Sequence, residues 1–352
     1  MISAGKEDLK LEAERLFEFL GKMTDFKTGR RYDMVYCSEI APLTFQINKL
    51  KKDADAVILA HYYSYPEIVY GVADFKGDSY ALSLEASKVS QKIIIFSGVD
   101  FMAQTAKMLN PQKAVYLPAL RAGCSLADSA CASDVENLKK QYPAAAFVCY
   151  INSTAEVKAL CDVCVTSSNV FDIVASLPEK QIVFLPDIFM AGNIKAEMKK
   201  RGIDKQIIPF GGTCCVHDKY SVQDVQDIRA EYPDAKIICH PECVSNVCEL
   251  CDYVGSTSGM LKYVKESSAD TFAVFSENGI VNCMEYQNPS KKFLPYGKAC
   301  AQMKRNTLSN ILGVLENLSR APQVQVKEET AKKALNAINN MFKIVQNGGS
   351  KK

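Results

Sequence analysis

Four kinds of short apolar run recur three times along this chain at intervals close to ninety residues, and no other feature limits the fold as much. The first kind begins at Ala56, Ala146 and Lys236, and the second at Asp74, Asp162 and Asp252. The third begins at Lys92, Gln181 and Thr271, and the fourth at Lys113, Gln206 and Lys292. Each run ends in polar or small residues, and helical pattern fills the gaps, as in parallel α/β units. Any α/β protein shows strands at such intervals, but four coincident sets point to triplication. The expected fold is three homologous three-layer α/β/α domains with short parallel sheets, in pseudo-threefold symmetry around a central active site. The expected repeats span residues 54–142, 143–234 and 235–300. A helical segment, 1–53, packs on them, with Leu9, Leu11, Leu16, Phe17 and Leu20 toward one face of a helix over 6–22. Residues 301–352 form C-terminal helices over 301–319 and 326–346, with a frayed tail from Asn347.

Charge and composition exclude several classes. Lys and Arg number 42 against 40 Asp and Glu, and the two signs are interspersed. That balance argues against a protein held to nucleic acid or a membrane surface by charge. A hydrophobic share of 48% argues against disorder. No run of eighteen apolar residues offers a membrane span. The charged, amphipathic N-terminus does not read as a signal peptide, so the expected location is the cytoplasm. Fourteen cysteines in such a chain imply a reducing compartment, where thiols are structural, catalytic or metal-binding.

Ligands of parallel sheets bind at the C-terminal ends of the strands. After the first strands stand His61-Tyr62-Tyr63, Tyr150-Ile151-Asn152 and His240-Pro241-Glu242, and the ninety-residue period equates Tyr62, Asn152 and Glu242. After the second strands stand Ser79, Ser167 and Thr257, and after the fourth Cys124, Cys214 and Cys300. One cysteine per repeat at one point suggests three thiolates meeting near an axis. Three is one short of a closed four-cysteine zinc site. It suits a [4Fe–4S] cluster with one open iron, a Lewis acid. Spacing alone does not choose between iron–sulfur and zinc.

The pairs Cys161/Cys164 and Cys248/Cys251 have CxxC spacing but read as core packing, and Cys37, Cys131, Cys149, Cys239, Cys243 and Cys283 read as structural. Cys215, beside Cys214, is ambiguous. All three histidines of the chain, His61, His217 and His240, fall at expected strand ends, which suggests substrate binding or proton handling. Neither GxxxxGKS nor GxGxxG is present.

Together these motifs resemble the quinolinate synthase A family. The matching segments are Ala60-His61-Tyr62-Tyr63, Ala73-Asp74-Phe75-Lys76-Gly77-Asp78-Ser79, Ala122-Gly123-Cys124, Tyr150-Ile151-Asn152-Ser153, Thr166-Ser167-Ser168-Asn169, Cys214-Cys215-Val216-His217, His240-Pro241-Glu242-Cys243, Gly255-Ser256-Thr257 and Cys300-Ala301-Gln302-Met303-Lys304. They lie in the family's order between about residues 56 and 308. Singly each is weak; as a set they are specific. The resemblance implies a three-domain fold with pseudo-threefold symmetry. It implies condensation of iminoaspartate with dihydroxyacetone phosphate to quinolinate, phosphate and water in NAD biosynthesis. It also implies a [4Fe–4S] cluster with three cysteine ligands and one open iron, and the C-x-V-H pattern puts the second ligand at Cys214. Iminoaspartate would come from an aspartate oxidase or dehydrogenase. Two departures stand out. Met303 occupies the place of an extra cysteine that some members use in a regulatory disulfide, so no such switch is expected. Phe210 replaces a Trp found in several members.

Such chemistry needs acid–base groups and anion holders beside the metal. Glu242 and Tyr62 are the expected acid–base pair, Glu242 with a carboxyl raised by shielding from water. Tyr150 can donate to a developing oxyanion, and His217 joins the catalytic set. His61, Ser79, Tyr150, Asn152, Ser167, His240, Glu242 and Thr257 are the expected substrate contacts. For the hydroxyls the competing reading is capping of the next helix, and both roles can coexist. Two other functions remain open from the residues: another open-cluster hydroxy-acid dehydratase, and a non-catalytic zinc-stabilised binding protein.

Overall fold

A computed structural model describes residues 5–349. Helices α1 (Lys6–Leu20) and α2 (Met34–Asp53) lead into the first repeating series. This is β1 (Ala56–His61), α3 (Pro66–Val69), β2 (Phe75–Gly77), α4 (Ser79–Ala86), β3 (Ile93–Ser97), α5 (Asp100–Leu109) and β4 (Ala114–Tyr116). Helix α6 (Ala132–Gln141) opens the second. It continues with β5 (Ala146–Tyr150), α7 (Ala155–Lys158), β6 (Val163–Val165), α8 (Val170–Ser176), β7 (Gln181–Leu185), α9 (Ile188–Lys200) and β8 (Gln206–Pro209). Helix α10 (Val222–Glu231) opens the third. It continues with β9 (Lys236–Cys239), α11 (Ser245–Cys248), β10 (Tyr253–Val254), α12 (Thr257–Glu266), β11 (Thr271–Phe275), α13 (Asn278–Gln287) and β12 (Lys292–Leu294). Helices α14 (Leu308–Glu316) and α15 (Glu328–Gly349) follow.

The strands make three four-stranded sheets of one order: β2-β1-β3-β4, β6-β5-β7-β8 and β10-β9-β11-β12. Pairing is parallel in each. Ile58, Ile94 and Ile95 in the first sheet and Val148, Val183 and Phe184 in the second are fully buried, as expected for strands covered on both faces. In this order the chain reverses direction across the sheet between the first and third strands, and the crevice at such a switch point is where α/β sheets bind ligands.

The recurring residues have a physical reason. Asp74, Asp162 and Asp252 each precede a short edge strand and pair with the first strand in both directions. Their carboxylates accept the N–H groups of Ile58 (2.8 Å), Phe147 (2.7 Å) and Ile237 (2.8 Å), and their own N–H groups donate to the carbonyls of those residues. Lys113, Lys205 and Lys291 precede or open the fourth strands. Their ammonium groups bond carbonyls just past α4, α8 and α12, those of Val89, Leu177 and Ser267, where a helix end leaves acceptors unmatched.

Two compact units partition the chain. One comprises Met1–Ala122, Asp234–Lys236 and Leu261–Val324; the other comprises Gly123–Pro233, Ile237–Met260 and Gln325–Lys352. In the first, α2 packs on α1, β1 and α14. Buried on α1 are Glu12, Ala13, Leu16 and Leu20, while Leu11 (56%) and Phe17 (40%) are exposed, so the inward face is narrower than the sequence pattern implies. In the second unit α15 lies on β6, α7 and α8, burying Ala334, Ala337, Ile338 and Met341 at helical spacing. Helix α14 starts at Leu308, not near 301, because residues 300–306 form the third cysteine loop and Thr307 caps the helix, its hydroxyl accepting from the Asn310 N–H. Helix α15 runs through Asn347, where fraying was expected; residues 350–352 of that tail lie outside the described residues.

Candidate active site

Strand register decides which residues correspond. Leu59 pairs with Phe75, Val148 with Val163, and Ile238 with Tyr253. His61, Tyr150 and His240 are therefore equivalent, and so are Tyr63, Asn152 and Glu242. The ninety-residue count that equated Tyr62 with Asn152 and Glu242 is off by one in the first repeat, because one interval is 89 residues when measured through the Asp-to-strand bonds of Ile58 and Phe147. The same register confirms Ser79, Ser167 and Thr257 as one set.

In the second unit five candidates meet. Glu242 is buried at the turn after β9, and both its oxygens are engaged. Tyr150, the last residue of β5, donates its hydroxyl to Oε1 at 2.7 Å. His217 Nδ1 lies 3.0 Å from Oε2 and 3.2 Å from Cys214 Sγ. A carboxylate only accepts, so this nitrogen carries the proton. His240 stacks on His217 with centroids 4.7 Å apart, and its Nδ1 is 3.6 Å from Glu242 Oε1. Burial pushes the Glu242 carboxyl up. The His240 and His217 imidazoles and the hydrogen bonds from His217 and Tyr150 outweigh it and hold the group below the usual carboxylate range. The expectation of a raised Glu242 is thus reversed, by His240 two residues away together with His217 and Tyr150, which are distant in sequence. His217 is not at a strand end. It sits in a single 3-10 turn, His217–Lys219, one turn past Cys214, which is what brings it to the thiol.

Each candidate ligand cysteine opens the same loop. The carbonyls of Ala122, Gly212 and Lys298 accept the N–H groups of Asp100, Ile188 and Asn278, pinning the loop to the end of a third strand. Two residues on come Cys124, Cys214 and Cys300, whose carbonyls accept from Asp128, Asp218 and Lys304. All three thiols are half-buried, whereas Cys215 is exposed and off this position. Burial, then Glu242, pushes the Cys214 thiol well up, and Cys124 adds to the rise. A positive metal at this point reverses that balance by taking the thiolate. Cys124 and Cys214, within one unit, therefore suit a thiolate-bound metal group. Cys214, His217 and Glu242 also have ligand atoms within 4.8 Å of one another.

Asn152 and Ser167 are half-buried at strand ends in the same unit, and Thr257 opens α12 there. No described bond ties these three to Glu242. His61, Tyr62, Ser79 and Cys300 belong to the other unit. His61 Nδ1 accepts the Tyr63 N–H at 3.1 Å. Burial, then Cys283 and Asp78, pushes the Tyr62 phenol up to about 12, so it stays a donor near neutrality. Gly279 allows α13 to approach this turn: a Cβ there would lie 2.2 Å from the Tyr62 carbonyl oxygen. The hydroxyls are not the main caps. Asp78 caps α4, accepting from the Ala81 N–H, and the Ser256 hydroxyl accepts from the Gly259 N–H in α12.

The remaining cysteines are structural in several ways. Cys37, Cys149, Cys161, Cys164, Cys239, Cys243, Cys248 and Cys283 are buried, Cys251 is half-buried, and all are free. Cys131 is exposed and stands at the N-cap of α6 in a capping box, where Ser221 stands for α10. Two residues escaped the sequence reading. Asp187 is fully buried at the N-cap of α9, and burial, then Glu242, pushes its carboxyl well up. Asn193 donates to the carbonyls on both sides of Glu242. The signal for Asp187 was an acidic residue just past the third strand, matched by Glu277; Asn193 left none.

The family model described as Quinolinate synthetase A protein matches residues 45–343. Proteins named quinolinate synthase are similar over most of the chain. One from Clostridioides difficile (strain 630) is 42% identical over 306 residues, covering 86% of this chain and 98% of its own length. One from Clostridium perfringens (strain ATCC 13124) is 40% identical over 301 residues, covering 85% and 98%. One from Caldicellulosiruptor bescii is 42% identical over 307 residues, covering 87% and 99%.

Proposed function

Because the chain belongs to the quinolinate synthetase A protein family, we propose that it is the quinolinate synthase of NAD biosynthesis and works at the Glu242 cluster. The substrates are iminoaspartate and dihydroxyacetone phosphate, and the products quinolinate, phosphate and water. The observation that carries the assignment of the site is the buried Glu242 carboxylate, bonded to Tyr150 at 2.7 Å and His217 at 3.0 Å beside Cys214.

A condensation that expels phosphate and water takes protons from the substrate and gives them to leaving oxygens. Glu242, held ionised, is the acceptor, and His217 Nδ1–H supports it and can carry the proton onward. Tyr150 donates a hydrogen bond and fixes the carboxylate. Tyr62, a phenol that stays protonated, is the donor from the first repeat. His61, His240, Asn152, Ser79, Ser167 and Thr257 bind the carboxylates and the phosphate. Cys124, Cys214 and Cys300 hold a [4Fe–4S] cluster, supported by their common loop. When bound it supplies an open iron as Lewis acid for a substrate oxygen or nitrogen. An imine hydrolyses in water, so an oxidase or dehydrogenase acting on aspartate supplies it. No helix among the described residues is long and apolar enough to cross a membrane; we assign the enzyme to the cytoplasm.

The Cys214, His217 and Glu242 atoms also favour a second reading, one metal ion on those three ligands. Against it, Glu242 already bonds Tyr150 and His217, and a metal would displace the latter. Anaerobic purification with iron and sulfide analysis, then an assay for quinolinate from both substrates, tests the proposal. Iron and sulfide near four each per chain and quinolinate formation are expected. Zinc without turnover supports the binding-protein function, and turnover of a hydroxy acid without triose phosphate supports the dehydratase.

A further inference from the structure

In all three repeats one backbone position next to a candidate residue is held in the same way by an unrelated side chain. The residue after Tyr63, Asn152 and Glu242 is Ser64, Ser153 and Cys243. The N–H groups of Ser64 and Cys243 close the turn after the first strand by donating to the His61 and His240 carbonyls, and the carbonyl of this residue is left to a side-chain donor. The Ser153 carbonyl accepts from Lys158 Nζ at 2.5 Å. The Cys243 carbonyl accepts from Asn193 Nδ2 at 3.0 Å, and the same amide reaches the Pro241 carbonyl at 2.8 Å. Lys304 Nζ donates to the Tyr63 carbonyl at 2.8 Å and to that of Ser64 at 3.4 Å.

The donors are all buried: Lys158 is 0% exposed, Asn193 7%, and the Lys304 side chain 6%. They are not repeat equivalents. Lys158 ends α7 of its own repeat. Asn193 comes from α9 of the second repeat to a turn of the third. Lys304 comes from the third cysteine loop to the turn of the first. Removing an ammonium group from water is costly, so a buried lysine needs strong acceptors. For Lys158 the acceptor is the Ser153 carbonyl; Lys304 adds to its two carbonyls the buried Glu277 carboxylate at 3.1 Å. The same carbonyl is thus satisfied three times by three different routes, which marks the constraint as belonging to the turn.

We propose that Asn193, Lys158 and Lys304 are positioning residues: each locks the turn that aims Glu242, Asn152 or Tyr62-Tyr63 at substrate. This rests on the functional assignment above. Asn193 is the sharpest case, because its amide bridges the carbonyls on either side of Glu242 and fixes the φ/ψ of that one residue.

The test uses the full chain, apo and reconstituted. Asn193→Leu keeps volume and removes both carbonyl bonds along with a weaker one to Cys248 Sγ at 3.4 Å. Its kcat for quinolinate should fall on the order of 10²-fold with KM nearly unchanged, the cost of a misplaced catalytic group. In a Glu242→Gln background the same substitution should add no more than about twofold, because Asn193 acts through Glu242. In the apo protein, amide hydrogen exchange of residues 240–244 should quicken in Asn193→Leu, and that of residues 152–154 in Lys158→Met, with core strands unchanged. Full additivity of Asn193→Leu with Glu242→Gln overturns the proposal, and so does wild-type exchange in both variants. A wild-type protein that makes no quinolinate defeats the functional assignment alone, since the exchange measurement still decides on the turns. Should Asn193→Leu not fold, Lys158→Met decides by the exchange of residues 152–154 and by a rise in KM with kcat nearly unchanged, because Asn152 binds substrate.

Discussion

At the scale of single residues, Glu242 and Asp187 divide the labour of two buried carboxyls. Glu242 faces imidazoles and a phenol and is held ionised; Asp187 faces Glu242 and backbone amides and is pushed toward the acid form. Environments that drive two titratable groups apart are the mark of acid–base sites. Glu242→Gln and Tyr62→Phe should keep the fold and lose about 10²–10⁴-fold in turnover, measured on reconstituted anaerobic protein so that cluster loss is not counted as lost chemistry. Wild-type turnover in both would remove them from the mechanism. Asp187 makes a second prediction. Its folded-state carboxyl lies above the ordinary 3.8, so its contribution to stability is full below that value and is lost as pH rises toward the folded value. Asp187→Asn does not titrate. The stability of Asp187→Asn relative to the parent should therefore climb with pH from about 4 upward, by denaturant unfolding of the apo chain. A pH-independent difference would refute it.

At the scale of elements, the loops after the second strands separate two roles the sequence left merged. Capping of α4 belongs to Asp78, whose carboxylate accepts the Ala81 N–H at 2.9 Å, and the proposed function gives the Ser79 hydroxyl to substrate. Asp78→Ala should cost about 1 kcal/mol of stability. Ser79→Ala should leave the unfolding midpoint in place and weaken substrate binding by roughly 1.5–3 kcal/mol, the worth of a hydrogen bond to a charged group. Thermal unfolding and KM measured on both variants check this; the reverse pattern would restore the hydroxyl to capping. The lysines at the fourth strands and the aspartates at the second belong to this scale too. They finish helix ends and edge strands, and they recur because each repeat has the same orphan groups.

At the scale of the whole molecule, the threefold recurrence of one loop makes the cysteine assignment testable as a set. Cys124→Ala, Cys214→Ala and Cys300→Ala should each abolish bound iron and sulfide, while exposed Cys215→Ala should retain them. The single-ion alternative predicts loss in Cys214→Ala alone among the four. Iron and sulfide analysis after anaerobic reconstitution separates the two. The chain ends also take definite places within their units: α1 joins α2, which α14 also meets, and α15 closes the β6 side of the second sheet.

The three sets of four strands, their parallel order and the residues at their ends were legible in the sequence, because apolar runs, turn residues and their spacing are local properties. The cysteine of each fourth-strand loop was legible for the same reason. Only the tertiary structure decided that Tyr63, not Tyr62, matches Glu242, since register is set by pairing between strands. It also decided that Glu242 is ionised, that Asp187 is not favoured to be, and that Asn193 grips the turn around Glu242. Those depend on which side chains meet across 92 residues for Tyr150, 25 for His217 and about 50 for Asn193. The sign of a buried charge belongs to its neighbours, and neighbours of that kind exist only once the chain has folded.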